Sequence, residues 1–162
     1  MVLLEEIKLV KMKPKYARAL RDIWISPGVI EYTLQKKNLT VKNTLKKLIN
    51  DEAKTIVALI NKIPVGCARI HFLRGRKNHI VEMVIFVDPK QQSRGIGSKL
   101  MESVLKIIKK KKIKRLELEV NVDNKKAIGL YKKFKLKKEG IKRKVSQRGN
   151  KLIDNYTLAR LF

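Results

Sequence analysis

The sequence predicts an α/β fold made as one domain across residues 1–162, with its elements in the order βααβββαβαββ. Three observations carry this. Short apolar runs of strand length alternate with stretches whose apolar residues recur every three or four positions. One such run, ending at Val87, is stopped by Asp88-Pro89 and passes through a polar loop and two glycines directly into an amphipathic helix. No internal repeat, low-complexity tract or linker divides the 162 residues. A chain of this length buries about 70% of its extended surface without disulfide or metal staples.

Residues 6–12 read as the first strand. Residues 15–25 form a helix because Tyr16, Leu20, Ile23 and Trp24 fall on one face, and Ser26-Pro27-Gly28 ends it. After a variable stretch to Leu39, a second helix starts behind Thr40 with Val41, Leu45, Leu48 and Ile49 turned inward. Residues 55–60 make an apolar strand of the buried sort. Residues 61–64 turn it into a strand over 65–72, and residues 74–78 turn that into the strand 80–87. The third helix covers 95–111 and buries Leu100, Val104 and Ile108. A fifth strand at 115–120, a fourth helix at 124–134 and two strands flanking a turn at 146–151 complete the order.

The junction between the fourth strand and the third helix reads Gln92-Ser93-Arg94-Gly95-Ile96-Gly97-Ser98. A helix that begins on glycines aims a row of free N–H groups and the positive end of its dipole at one point, which is a site for phosphate. Two better-known phosphate loops fit poorly. The dinucleotide fingerprint wants a small residue where Leu100 stands, and the P-loop wants Gly-Lys-Ser/Thr where Gly97 is followed by Ser98 and Lys99. The plainer alternative is a strand–turn–helix junction with glycines for close packing.

A second motif lies past the helix: Leu116-Glu117-Leu118-Glu119-Val120-Asn121-Val122-Asp123-Asn124, then Ala127, Ile128, Leu130-Tyr131 and Phe134. The two together resemble the GNAT superfamily of acetyl-CoA-dependent N-acyltransferases. In that family Q/R-x-x-G-x-G/A binds the pyrophosphate, and an Asn-x-x-Ala-x-x-x-Tyr helix lies across the pantetheine and thioester. The likeness is strongest over residues 80–162; the first half agrees mainly in the order of its elements. The resemblance implies a mixed, mostly antiparallel sheet with helices on both faces and a cleft where two parallel strands separate. It implies acetyl-CoA as cosubstrate, held by Gln92, Ser93, Arg94, Gly95, Ile96, Gly97 and Ser98. It further implies that Ile85, Phe86 and Val87 sit at a bulge and pair with the pantetheine through their main chain.

Tyr131 matches the family's tyrosine and is the candidate general acid, since a phenol near pKa 10 can protonate a departing thiolate near 8.5. Packing against Ala127, Ile128 and Phe134 is its other reading. Asn124 caps the fourth helix, with Asp123 as competitor, and the resemblance adds a hydrogen bond to the pantetheine. Glu119 projects on the same side as Glu117 and is the candidate base, with ordered water as the alternative and an ion pair with a lysine as the plain reading. The sequence departs from the family at Lys135-Leu136, where Gly-Phe is usual, so the end of the fourth helix is in doubt.

The resemblance implies acetyl transfer to the primary amine of an amino acid or other small amine, by direct attack in a ternary complex. Thr33-Leu34-Gln35 and Arg148-Gly149 through Asp154-Asn155-Tyr156 look like the branch that acts on such acceptors. Tyr32 and Tyr156 read equally as packing residues, and Glu31, Glu119 and Asp154 are the carboxylates available to a cationic acceptor. Two alternatives stay open: a protein N-terminal acetyltransferase of the ribosomal-protein type, and a non-catalytic nucleic-acid-binding module.

Composition bounds these readings. The 40 basic and 14 acidic residues give a net charge of +26, which attracts polyanions, so association with ribosomes or nucleic acid is open. The aromatics are not interleaved with the cations as a base-stacking platform requires. The single Cys67 excludes an internal disulfide and reads as a buried thiol. His71 and His79 have no partners at metal-ligand spacing, so no metal is expected. No apolar run approaches a membrane span and the start carries Glu5-Glu6, so a cytoplasmic protein without membrane contact is expected. The oligomeric state, a homodimer included, stays open.

Overall fold

The computed structural model describes residues 6–33 and 37–162. Its strands are β1 (Lys8–Lys11), β2 (Ala53–Ile60), β3 (Ile63–Phe72), β4 (Ile80–Val87), β5 (Arg115–Asn121), β6 (Lys137–Arg148) and β7 (Lys151–Leu161). They form one sheet in the order β1-β2-β3-β4-β5-β7-β6, antiparallel throughout except for β4 beside β5. Helices α1 (Ala17–Trp24) and α2 (Val41–Leu48) cover one face of β2 and β3. Helices α3 (Ile96–Lys110) and α4 (Lys125–Lys133) lie on the other face. This is a single α/β domain with the predicted element order.

Each face has its own core because each strand alternates. From β4, Val81 and Met83 join Leu100, Met101, Val104 and Ile108 of α3, together with Leu116 and Leu118 of β5. Those four α3 side chains are fully buried, each contributing about 1.5–3 kcal/mol of apolar burial. Phe86 points the other way and joins Leu20, Trp24, Leu48, Val57 and Cys67. Burial pushes the Cys67 thiol pKa up, as suits an inert core residue.

Two local expectations change. Ile49 is 43% exposed: α2 ends at Leu48, and the extended backbone of residue 49 swings its side chain off the helix face. Thr44 takes an inward place, its hydroxyl donating to Thr40 C=O at 3.0 Å. The last turn shrinks to Gly149-Asn150, because residues 146–148 stay paired with β7.

The feature that makes the site is the short parallel pairing. β4 meets β5 only from Ile80 to Glu82 against Arg115 to Glu117. Beyond this, β4 follows β3 to Gly66/Val87 and β5 follows β7 to Asn121/Asn155, so the twisted sheet opens between them. No bulge is involved: the β3–β4 register runs unbroken, which corrects the expectation at Ile85, Phe86 and Val87. Gly66 holds β4 to the β3 side, since a Cβ there would lie 2.6 Å from the Phe86 carbonyl oxygen.

Candidate active site

The opening between β4 and β5 is a cleft of about 1950 Å³. Ile85, Phe86 and Val87 line it, with side chains already committed: Ile85 and Val87 to the α3 side, Phe86 to a stack on Trp24 with centroids 4.8 Å apart. What they offer the cleft is main chain, because their outward N–H and C=O groups have no strand partner beyond Glu82.

One end of the cleft is the N-terminus of α3. Gly95 is the N-cap at φ 80°, and Ser93 precedes it at φ 64°. A Cβ on Gly95 would touch nothing within 4 Å, so the glycine is there for its left-handed backbone and the space beside it is open. No side chain caps the helix, and its first-turn N–H groups point outward with the dipole. Gly97 has the other role weighed from sequence: a Cβ there would lie 3.1 Å from Leu130 Cδ2, so it admits α4 against α3. Gln92, Ser93, Gly95, Ile96, Gly97 and Ser98 line the cleft, whereas Arg94 lies outside the lining with Nη1 donating to Gln91 Oε1 at 2.5 Å. Two lysines of α4 flank this corner, Lys126 within the cleft lining and Lys133 just outside it. Lys126 Nζ donates to Gln92 Oε1, and Lys133 Nζ to Ser98 Oγ, each at 3.1 Å. A row of N–H groups, a positive dipole end and two ammoniums suit a diphosphate.

Asn124 caps α4 by accepting from Ala127 N–H at 3.2 Å, and its competitor Asp123 is engaged elsewhere. Tyr131 is buried within the α3-side core and also lines the cleft, so its packing and chemical readings coexist. Burial alone raises its pKa above the ordinary phenol value, so the hydroxyl stays protonated. Lys135 stands at φ 63° and completes the turn that glycine usually makes. Its N–H bonds Lys132 C=O at 2.9 Å while Leu136 N–H bonds Tyr131 C=O at 3.0 Å.

Among the described residues, no helix covers the sheet face on the α1/α2 side over β5, β7 and β6, which carries a polar network. Glu119 is ion-paired with Lys142 and accepts from Asn155 Nδ2 at 3.3 Å. The Glu119 contact in turn raises the Lys142 pKa. Asn155 Oδ1 accepts from Asn121 Nδ2 at 2.5 Å and from Ser146 Oγ at 3.1 Å. Arg148 donates to Asp123 Oδ2 at 2.8 Å, to Asn121 Oδ1 at 3.4 Å and to Glu31 C=O at 3.2 Å, and stacks over Tyr32 at 4.7 Å. Its guanidinium holds the Asp123 carboxyl below the usual range. Tyr32 is therefore part of the site. Tyr156 packs toward the α3 side, and Asp154 accepts Lys144 N–H at 2.7 Å outside the cleft lining. Leu34 and Gln35 lie outside the described residues.

The model of the acetyltransferase (GNAT) family matches residues 16–135. The chain belongs to this GNAT family. It is 30% identical over 161 residues, 98% of this chain and 99% of the relative, to L-amino acid N-acetyltransferase AaaT of Escherichia coli (strain K12). The structure of a GNAT-family acetyltransferase from Streptococcus pneumoniae superposes with a TM-score of 0.83 at 26% identity, over 96% of this chain and 99% of that one. A ribosomal-protein-alanine N-acetyltransferase from Brucella melitensis shares the fold, with a TM-score of 0.84 at 20% identity over 96% and 99% of the two chains. This GNAT protein is an acyltransferase of the N-acetyltransferase class, which displaces the reading as a non-catalytic module. Enzymes of the family use acetyl-CoA, and the open β4 edge beside the cationic corner of α3 fits such a donor. Among the described residues, no helix is long and apolar enough to cross a membrane.

Sequence reasoning on this GNAT chain missed Lys126, Lys133 and Asn121 as site residues. The two lysines carried a readable signal, being seven positions apart and so on one stripe of α4. Asn121 carried none, since its role depends on which strand lies beside β5.

Proposed function

We propose that this enzyme moves the acetyl group of acetyl-CoA to the primary amine of an amino acid or other small amine, by direct attack in a ternary complex. The observation that carries the reading is the roofed acceptor end of the cleft. Arg148 reaches back 117 positions to the Glu31 carbonyl and lies over the Tyr32 ring, and these residues line the same cleft as Glu119. Near-full-length similarity to an enzyme named for L-amino acids supports the same acceptor class.

In this mechanism the N–H groups of residues 93–98 hold the pyrophosphate, with Lys126 and Lys133 neutralising charge. The cleft edge of Ile85, Phe86 and Val87 aligns the pantetheine as an added strand, and a main-chain N–H there stabilises the oxyanion. Asn124 adds a hydrogen bond to the same arm. Glu119, directly or through water, takes the proton that the ammonium must lose. The amine nitrogen then bonds to the acyl carbon, and the carbon–sulfur bond breaks with its electron pair on sulfur. Tyr131, kept protonated by burial, donates its hydroxyl hydrogen to that sulfur, and the second proton shed by the newly acylated nitrogen returns to the Tyr131 oxygen.

A thiol-release screen with acetyl-CoA and separate panels of amino acids, small amines, polyamines and short peptides tests the reading. Turnover of free amino acids or small amines is expected. Turnover confined to peptides with a free N-terminus transfers the assignment to protein N-terminal acetylation.

A further inference from the structure

We infer that Arg148 is a positioning residue for the acceptor half of the reaction: it clasps the 30–32 turn over the cleft and, through Asn121 and Asn155, orients the carboxylate of Glu119. The Glu119 part rests on the function proposed above, whereas the clasp rests on geometry alone. Arg148 is the last residue of β6, at the tip of the final hairpin. From there one guanidinium engages the Glu31 carbonyl, the Tyr32 ring and the Asp123 carboxylate. These belong to two segments far apart in sequence, and Asp123 directly precedes the residue that caps α4. A planar fork suits this task, since its five donors can serve several acceptors in fixed directions.

The same guanidinium starts a chain of amide contacts. Arg148 Nη2 donates to Asn121 Oδ1, Asn121 Nδ2 to Asn155 Oδ1, and Asn155 Nδ2 to Glu119 Oε2. Both asparagines are only 6% exposed, and a buried amide turned the wrong way leaves its groups unpaired, so each link fixes the next. The arginine thus sets which way Asn121 points, and Asn121 sets Asn155. None of these contacts touches the phosphate corner of α3, and Asn124 keeps its own bond to Ala127 N–H, so the diphosphate end is independent of them.

Arg148→Ala and Arg148→Lys separate these statements. Amide hydrogen exchange of the free enzyme is expected to quicken at least ~10-fold over residues 29–33 in Arg148→Ala, the size of one lost charged hydrogen bond, with residues 93–98 unchanged. Steady-state kinetics are expected to show an acceptor KM raised roughly 10-fold and an acetyl-CoA KM within about twofold of the parent, with Arg148→Lys intermediate because it keeps charge but not the fork. Unchanged exchange over 29–33, an unchanged acceptor KM, or equal rises in both KM values overturns the inference. If the parent acetylates no amine, the proposed function fails and the exchange result alone decides the clasp.

Discussion

Lys135 closes α4 with a backbone that glycine normally supplies. The left-handed conformation costs a side-chain-bearing residue about 1–2 kcal/mol, of which glycine would return about 0.5–1 through its freer unfolded chain. Lys135→Gly should therefore gain about 0.5–1 kcal/mol, a Tm rise of about 1–4 °C in thermal denaturation. A lower Tm would show that the lysine makes a compensating contact. Tyr131 gives the second test at this scale. Tyr131→Phe should leave acetyl-CoA binding intact and lower kcat by about 10²-fold or more, within the range of general acid catalysis. Because burial raises the phenol pKa, deprotonation is postponed and the pH–rate profile of the parent should show no alkaline limb at the ordinary value of about 10. Undiminished turnover in the variant removes the assignment.

Helix α4 serves two ends of the cleft in the proposed mechanism: its N-cap and Tyr131 the reacting end, and its lysines the phosphate corner. Replacing Lys126 and Lys133 with alanine should each weaken acetyl-CoA binding about three- to tenfold, a modest loss because both ammoniums are solvent-exposed. Calorimetry at two salt concentrations should show the double variant less salt-sensitive than the parent. Equal affinities would assign the phosphate contacts to main chain alone. The α3 loop was legible in the sequence because its signal is local: strand, stop, glycines and helix follow one another within a dozen residues. The closing turn of α4 was flagged by the departure at Lys135, and the turn forms regardless because its two backbone bonds outweigh the local strain. What the sequence hid is non-local. Gly66 matters for the strand across from it, Asn121 and Asn155 for their register, and Arg148 for a turn 117 positions earlier. Ile49 was misplaced because one residue of helix length decides whether a side chain stays on the inner face.

Across the whole molecule, a strongly basic chain gathers a large share of its few carboxylates in the cleft. Glu31, Glu82, Glu117, Glu119, Asp123 and Glu139 line the cleft although the chain has only 14 acidic residues, and Arg115, Lys142 and Arg148 of the same lining pair with Glu117, Glu139, Glu119 and Asp123. Thermal-shift titrations at two salt levels should show acetyl-CoA stabilisation that persists at moderate salt and duplex-DNA stabilisation that fades steeply. Loss of both together would reduce the donor site to non-specific anion binding.

Among the described residues the outermost strand β6 has no neighbour beyond it, and it bears Lys137, Lys138, Lys142, Arg143 and Lys144. An unsheltered row of backbone donors and acceptors invites fibril-like stacking, and like charges on both approaching chains repel that encounter. Added electrolyte shortens the reach of the repulsion, so turbidity during storage should rise with ionic strength sooner than with protein concentration.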